Sequence, residues 1–121
     1  MSRIIDEDRE KRIKDEVIVD CHNEGEEMTG WYYYMQDAMS FPMKGLANIP
    51  SSGGKTAQKK VKIVGLDSKS ETGQPMRIGV IENGGRQVTY ISPEYLIRIE
   101  EAEDNIEILN DWLYWHDFEL L

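Results

Sequence analysis

The chain has 121 residues, with 23 Asp and Glu against 14 Lys and Arg, which gives a formal net charge of −9 at pH 7. This balance argues against binding to nucleic acid or to anionic membranes, because both require a cationic surface. Apolar residues make up 40% of the sequence, which is enough for a hydrophobic core and argues against a disordered chain.

The cellular compartment is indicated by the cysteine count and by the lack of membrane signals. Cys21 is the only cysteine in the sequence, so no intrachain disulfide can form and a reducing environment is indicated. No apolar signal-type run stands at the N-terminus, and no apolar run approaches the roughly 20 residues that span a bilayer. We therefore expect a soluble cytoplasmic protein that forms a single domain over residues 1–121.

The N-terminal segment 3–22 is charge-dense and has few apolar positions. Ile13, Val17 and Cys21 recur at intervals of four residues, which suits one face of a helix. The run 17–19 is β-branched, so an extended segment is the alternative for this region.

Residues 24–39 carry the clearest helical periodicity in the sequence. Their apolar stripe consists of Met28, Trp31, Tyr32, Met35 and Met39, and this spacing is typical of an amphipathic helix. The helix is expected to end at Phe41-Pro42, because proline disfavours the α conformation in the residue before it. Core packing of the aromatic residues is favoured over base stacking, which requires basic neighbours.

A linker-like stretch follows at residues 43–60 and is predicted to be a mobile surface loop, since it contains Pro50-Ser51-Ser52-Gly53-Gly54. The segment from Ser52 to Thr56 resembles the end of a phosphate-binding loop. Ile49 stands where that motif requires its first glycine, so no nucleotide site is predicted.

The second half of the chain changes to the period of two that is typical of strands. Strands are predicted at 61–66, 76–81, 88–91 and 96–99, with a hairpin turn at Asn83-Gly84 and a final helix over 101–117. The predicted fold class is α+β, with helices packed around a small antiparallel SH3-like β-sheet or barrel.

Catalytic chemistry finds little support among the residue types that usually carry it. Cys21 and His22 are adjacent, so their side chains point to different sides and do not readily form a thiolate–imidazole pair. The second histidine, His116, completes no standard zinc spacing. We expect no enzyme activity, no catalytic residues and no residues that bind an organic cofactor.

The segment from Asp67 to Gly73 offers a different chemistry, that of a hard cation. Asp67 and Glu71 place carboxylates four residues apart in a turn between two predicted strands, and calcium prefers oxygen ligands of this kind. The segment is not an EF-hand, because Lys69 and Thr72 occupy positions where that loop requires an oxygen ligand and a glycine. A solvated hairpin tip without any metal is the alternative interpretation.

Two further motifs resemble the cyanobacterial calcium-binding protein family. The first is the acidic stretch followed by Gly30-Trp31-Tyr32-Tyr33-Tyr34, Asp37 and Phe41-Pro42. The second is the closing segment Asn110-Asp111-Trp112-Leu113-Tyr114-Trp115. The resemblance extends in the same order over most of the chain, although the loop after Leu66 is less acidic than is usual in the family.

The resemblance implies an α+β protein that binds calcium through non-EF-hand carboxylate sites, as a cytoplasmic buffer or signalling protein in a bacterium. It implies Asp37 as the first ligand candidate and Asp20 as another, beside Asp67 and Glu71 from the hairpin turn. Carboxylates that repel one another without metal would be bridged by the ion. Calcium ions are thus the expected ligand, and the protein is expected to be a monomer. A protein partner stays unidentified, and an acidic protein-interaction adaptor without a metal role is the alternative.

Overall fold

The computed structural model describes residues 5–100 and 103–121 of the chain. Its helices are α1 (Glu7–Arg12), α2 (Glu24–Ala38) and α3 (Glu103–Trp115), and a short π-helical turn, Ile13–Val17, continues α1. Its strands are β1 (Met43–Pro50), β2 (Thr56–Leu66), β3 (Ile78–Glu82), β4 (Val88–Ile91) and β5 (Leu96–Ile99). The predicted start of the last helix, at residue 101, lies outside the described residues.

The described strands form one antiparallel sheet in the order β4-β3-β2-β1-β5. The sheet is open, with β4 and β5 as its edges, and Asn83-Gly84 turns the chain between β3 and β4 as the sequence predicted. Gly84 has a φ of 83°, a left-handed conformation that glycine adopts without strain. The α+β class is therefore confirmed, whereas an SH3-like or barrel geometry is not.

The prediction of a mobile loop over 43–60 was wrong. β1 occupies the first part of this range and pairs along its whole length with β2, from Met43 opposite Ile63 to Pro50 opposite Thr56. β5 covers the other edge of β1. Only the connection between β1 and β2 is a turn, and there Gly53 and Gly54 adopt positive φ values of 78° and 74°.

The hydrophobic core lies between the helices and one face of the sheet. α2 contributes Trp31 and Met35, and α3 contributes Leu109 and Leu113. The sheet contributes residues that alternate along three strands, together with two residues of β5; these are Ala47, Ile49, Val61, Ile63, Ile78 and Val80, and Leu96 and Ile99. Burial of each large apolar side chain stabilises the fold by about 1.5–3 kcal/mol before entropy is counted.

The N-terminal segment adopts the helical rather than the extended alternative. Ile13 and Val17 are buried against the core, as their spacing predicted, while Cys21 is only half-buried in the turn that follows. α2 then begins at Asn23, whose side chain accepts a hydrogen bond from the Glu26 N–H at 2.9 Å. This N-cap satisfies a backbone donor that the first turn of a helix leaves free.

Candidate metal-binding site

The turn between β2 and β3, Ser68–Thr72, packs directly against the exposed side of α2 and is called here the β2–β3 turn. Thr29 donates its hydroxyl hydrogen bond to the Glu71 carbonyl oxygen at 2.9 Å. One helical turn further on, the Tyr33 hydroxyl donates to Glu71 Oε1 at 2.5 Å. Two residues spaced four apart on one helix face therefore hold both the backbone and the carboxylate of Glu71.

Gly73 explains how the turn comes so close to the helix. It ends the turn with a φ of 88°, and a Cβ at this position would lie 3.3 Å from the Gly25 Cα of α2. A larger residue would thus meet both backbone strain and a steric contact with the helix. Gly73 thus lets the polar turn approach the backbone of the helix without a side chain between them.

The phenol of Tyr33 remains a hydrogen-bond donor at neutral pH. Its hydrogen bond to Glu71 raises the pKa of Tyr33, and desolvation and the negative charge of Glu71 act in the same direction. The donated proton keeps Glu71 Oε1 occupied, so Oε2 is the oxygen that this contact leaves for another ligand.

Asp67 lies at the start of the β2–β3 turn, where its charge is already compensated. Its side chain is nearly buried, and the whole residue is 5% exposed. It accepts a hydrogen bond from the Lys69 N–H at 3.0 Å, and its Oδ2 lies 3.1 Å from Arg77 Nη2. Asp67 therefore fixes the shape of the turn, and a cation would have to compete with Arg77 for it.

Asp37 is exposed near the C-terminal end of α2, four residues after Tyr33. A spacing of four residues places it on the same face of the helix as Tyr33, one turn closer to the helix end. The last turn of a helix leaves backbone carbonyl oxygens without intrahelical partners and carries the negative end of the helix dipole. The local environment of Asp37 thus favours a cation.

Asp20 precedes α2 in the chain and lies away from Asp37. It is an exposed residue with a φ of 60° in the turn after the π-helical segment. The neighbouring residue Cys21 faces Gly30, and the His22 N–H donates to Glu26 Oε2 at 2.5 Å. These contacts hold the turn against the N-terminal half of α2, whereas Asp37 stands seven residues beyond Gly30, or about 10 Å along the axis.

The four predicted residues are consequently not gathered into one preformed cluster. Glu71 contacts the face of α2 on which Asp37 also lies, Asp67 is engaged by Arg77, and Asp20 lies in the turn before α2. Among the residues that the structure describes, no group of three or more His, Cys, Asp or Glu side chains is arranged to hold a metal ion.

A charged cluster that the sequence reasoning missed contacts α2 at Tyr34. Asp111 of α3 is fully buried and accepts from Arg9 Nη1 at 2.6 Å, from Arg12 Nη2 at 2.5 Å and from the Tyr34 hydroxyl at 2.7 Å. The hydrogen bond to Asp111 raises the pKa of Arg12 further above its ordinary value. The signal in the sequence is one carboxylate within the apolar face of α3, together with two arginines three apart near the N-terminus.

This cluster ties the first helix to the last and is not a cation site. Both carboxylate oxygens of Asp111 are occupied by guanidinium and phenol donors, so the charge is neutralised inside the protein. Burial and the hydrogen bond to Asp111 raise the pKa of Tyr34, which keeps this phenol in its donor form.

Comparison with known proteins decides the family. A family model described as calcium binding, of the CcbP type, matches residues 11–116. The chain belongs to this calcium-binding family. The resemblance seen in the two aromatic motifs is thereby confirmed, and so is calcium as the ligand. None of the helices in the described part of the chain is long and apolar enough to cross a bilayer.

Two solved structures are similar to the chain over nearly its full length. One is the crystal structure of Anabaena CcbP, which is 31% identical, covers 98% of each chain and has a TM-score of 0.85. The other is a calcium-binding protein in its calcium-binding form, which is 32% identical, covers 95% of each chain and has a TM-score of 0.78. None of the proteins with curated functions matches the sequence.

The donors on the exposed side of α2 fit calcium in their chemistry. Calcium takes six to eight hard oxygen ligands, which include carboxylates, backbone carbonyls and water. For a calcium ion on this face, Asp37 and Glu71 would be the available carboxylates, the end of α2 would offer carbonyl oxygens, and the exposed setting would let water complete the shell. Neither thiolate nor imidazole is needed, in agreement with the preference of this ion.

Proposed function

We propose that the chain is a reversible calcium buffer or calcium-signalling protein of the cytoplasm that acts as a monomer and has no catalytic role. The observation that carries the proposal is the match of residues 11–116 to a calcium-binding family. Oxygen donors on an exposed helix face support rapid exchange, since an open site lets water enter and leave the coordination shell.

We infer that Asp37 and Glu71 form the principal calcium site. The Tyr33 and Thr29 hydroxyls hold Glu71 at 2.5 and 2.9 Å, so little conformational entropy is lost when its carboxylate becomes a ligand. Asp37 is one turn further along the same face. Packing of Met35 in the core, where it is fully buried, fixes the backbone that carries Asp37.

Asp67 and Asp20 take secondary parts in this proposal. Asp67 shapes the β2–β3 turn through Lys69 and Arg77, and it would become a ligand only if Arg77 moved away. Asp20 extends the negative field around α2 from the other end of the helix. Asp20 raises the local concentration of cations by electrostatic attraction rather than by direct coordination, whereas the charge of Asp67 is already compensated by Arg77.

Calcium binding to this pair changes the electrostatics of the helix face. Without metal, the two carboxylates repel each other and oppose the negative end of the α2 dipole. A divalent cation reverses both interactions, so it draws the β2–β3 turn and the end of α2 together. Tyr33 would keep Glu71 Oε1 in place while Oε2 faces the ion.

Isothermal titration calorimetry on metal-free protein tests both the function and the site. Asp37→Asn keeps the shape of the side chain and removes its charge, and Glu103→Gln is the control, since Glu103 is an exposed acid in the first turn of α3. Calcium affinity should fall at least tenfold for the first variant, or about 1.4 kcal/mol, and stay near the parent value for the second.

The two parts of the proposal fail in different ways. If the parent protein takes up calcium with no more heat than magnesium, the functional proposal is contradicted. If the parent binds calcium and both variants bind equally well, the function stands and the assignment of Asp37 is wrong. Glu71→Gln, examined in the same way, reports on the second half of the pair.

A further inference from the structure

The outer face of the sheet, which points away from the helices, gathers basic side chains in an otherwise acidic protein. Lys44 of β1 stands directly opposite Lys62 of β2. In the next row, Leu46 stands between Lys60 of β2 and Arg98 of β5. These four cations lie on three adjacent strands, and all of them are exposed, whereas the chain as a whole has a net charge of −9.

The lysines of this face are not neutralised by neighbouring side chains. Within the described residues, Lys44, Lys60 and Lys62 form no ion pair, while Arg98 has a carboxylate neighbour with Nη2 at 3.7 Å from Glu100 Oε1. Like charges directly opposite each other on neighbouring strands destabilise a sheet. The Lys44–Lys62 pair therefore leaves a repulsion that an anionic ligand would relieve.

The other half of the same face is apolar. The row of Lys44 and Lys62 continues through Ile81 of β3 to Val88 of β4, and Tyr90 stands opposite Gly79 in the neighbouring row. Val88 is 42% and Tyr90 48% exposed. Charged and apolar halves together reach from β5 to β4, about 19 Å at a strand spacing of roughly 4.8 Å.

A groove runs beside the basic half and gives a ligand a place to lie. Its volume is about 580 Å³, and it is bordered by Pro42–Gly45, Lys60–Lys62 and the hairpin residues Ile81–Gly85. Glu82 and Glu100 stand at its border as well, and Glu100 is the carboxylate that neighbours Arg98. Among the described residues, the three lysines without an ion pair thus outnumber Glu82, the one glutamate at this border without a cationic partner.

We propose that this face docks a short acidic segment of another protein, in which carboxylates flank aliphatic or aromatic residues. Carboxylates of the segment would meet Lys44, Lys60 and Lys62, and its apolar residues would cover Val88 and Tyr90. This division of the surface into a basic half and an apolar half matches a peptide better than nucleic acid. The phosphate backbone of nucleic acid is charged along its whole length, so the part beyond the basic half would be repelled by the acidic remainder of the protein surface. Charge complementarity across such an interface increases association rate and specificity.

The experiment uses a fluorescein-labelled dodecapeptide that repeats Glu-Leu-Asp, titrated against the full chain in calcium-free buffer at low salt. Fluorescence polarisation gives the affinity, and amide chemical shifts of the ¹⁵N-labelled protein give the location. The variant Lys60→Glu with Lys62→Glu removes the basic half. Its control is Lys11→Glu with Lys14→Glu on the N-terminal helical segment, which makes the same change in net charge.

The proposal expects saturable binding, chemical shift changes in β1–β4, an affinity at least tenfold lower for the Lys60/Lys62 variant, and a change below twofold for the control. Equal losses in both variants, or shifts outside the sheet face, would overturn it, because net charge alone would then explain the attraction. Tighter binding of a twelve-nucleotide oligothymidine than of the peptide would overturn it in favour of nucleic acid. Sedimentation velocity that shows a dimer dispersed by the Lys60/Lys62 change would assign the face to a second copy of the chain instead.

Discussion

Asp111 shows how one buried carboxylate connects distant parts of the sequence. It is fully buried and bonds to Arg9 and Arg12, which lie 102 and 99 residues away along the chain. Two arginines and a phenol surround it, so its desolvation is compensated by charge-assisted hydrogen bonds. If the arginines are removed, Asp111 remains as a buried carboxylate without a cation; if Asp111 is removed, Arg9 keeps only the exposed carboxylates of Asp6 and Glu107.

Asp111→Asn should therefore destabilise the protein strongly. Loss of the negative charge leaves the buried Arg9 with only the exposed carboxylates of Asp6 and Glu107 as ion partners, and the expected decrease in the free energy of unfolding is about 3–5 kcal/mol. Urea denaturation followed by tryptophan fluorescence measures it, with Asp104→Asn in the exposed first turn of α3 as the control. A loss below about 1 kcal/mol for Asp111→Asn would show that the cluster contributes little net stability.

His116 is a second residue whose environment predicts a measurable effect. Its ring stacks on Trp112 with centroids 4.2 Å apart, and its Nδ1 lies 2.7 Å from the Trp112 carbonyl oxygen. Burial lowers the pKa of His116 from its ordinary value of 6.5, against the opposing influence of the Trp112 carbonyl and the carboxylates of Glu27, Glu94 and Asp117.

The lowered pKa makes the folded state less stable in acid. Below about pH 6.5 the unfolded chain binds a proton at His116 that the folded chain does not yet accept, so stability falls as the pH decreases until the folded pKa is passed. His116→Gln removes this titration, so the stability difference between parent and variant should shrink from pH 7.5 to 5. Urea denaturation at several pH values measures it, and His22→Gln controls for the loss of an imidazole. If the stability difference between the parent and His116→Gln does not change with pH, burial does not lower the pKa of His116 in the folded state.

At the scale of elements, the approach of α2 to the π-helical turn depends on Gly30. A Cβ at this position would overlap the Val17 carbonyl oxygen, which belongs to the backbone and has no side-chain freedom to move. In an isolated helix, alanine is more favourable than glycine by about 1 kcal/mol. The sequence shows only a glycine that weakens the helix, while the structure shows the contact that requires it.

Gly30→Ala should accordingly lower stability by about 1–3 kcal/mol despite its better helix propensity, since overpacking costs of this size are typical. The control is Gly25→Ala on the same helix, where a Cβ would meet only the side-chain Oδ1 of Asn23 at 3.3 Å. Thermal or urea unfolding distinguishes the two variants. Stabilisation by Gly30→Ala would mean that the π-helical turn moves aside without cost.

Comparison of the strands shows what local sequence can and cannot predict. β2 to β5 follow from apolar alternation and the Asn83-Gly84 turn, and the observed bounds differ from the predicted ones by a few residues. β1 also alternates, but its inward positions include the small residues Gly45 and Ala47, so the local hydrophobic signal is weak. Its strand state is fixed by pairing with β2 and β5 on both sides, and long-range pairing is invisible in a local pattern.

The candidate site was predictable to a similar extent. The family motif leads to Asp37, and the oxygen-rich turn leads to Asp67 and Glu71, because both signals are local. The engagement of Asp67 by Arg77 and of Glu71 by Tyr33 depends on how the β2–β3 turn packs against α2. That packing brings together residues 38 positions apart. The sequence alone therefore could not show that Arg77 engages Asp67 while Tyr33 holds Glu71.

At the scale of the whole molecule, the charged groups divide into regions of opposite sign. Acidic residues surround α2 and begin α1 and α3, while the lysines of β1 and β2 stand on the outer face of the sheet. The core between the helices and the sheet separates these surfaces. The proposed cation on the helical side and the proposed acidic segment on the sheet side would therefore bind without competing directly.

Calcium should stabilise the entire fold through the helical side. A ligand that binds only the folded state at about 100 times its dissociation constant adds roughly 2.7 kcal/mol, and each kcal/mol raises the midpoint of a domain of this size by several degrees. The proposed site joins α2 to the β2–β3 turn, so the ion would oppose separation of the helices from the sheet. Differential scanning calorimetry in saturating calcium should show a rise of about 10 °C in the unfolding midpoint.

Magnesium at the same concentration should give a smaller rise, because it requires tight octahedral geometry and gives up its water reluctantly. Asp37→Asn should reduce the calcium effect while leaving the midpoint of the metal-free protein nearly unchanged. Equal midpoints with and without calcium would contradict a folded-state site, and equal shifts with both metals would indicate a diffuse acidic surface in place of a defined one.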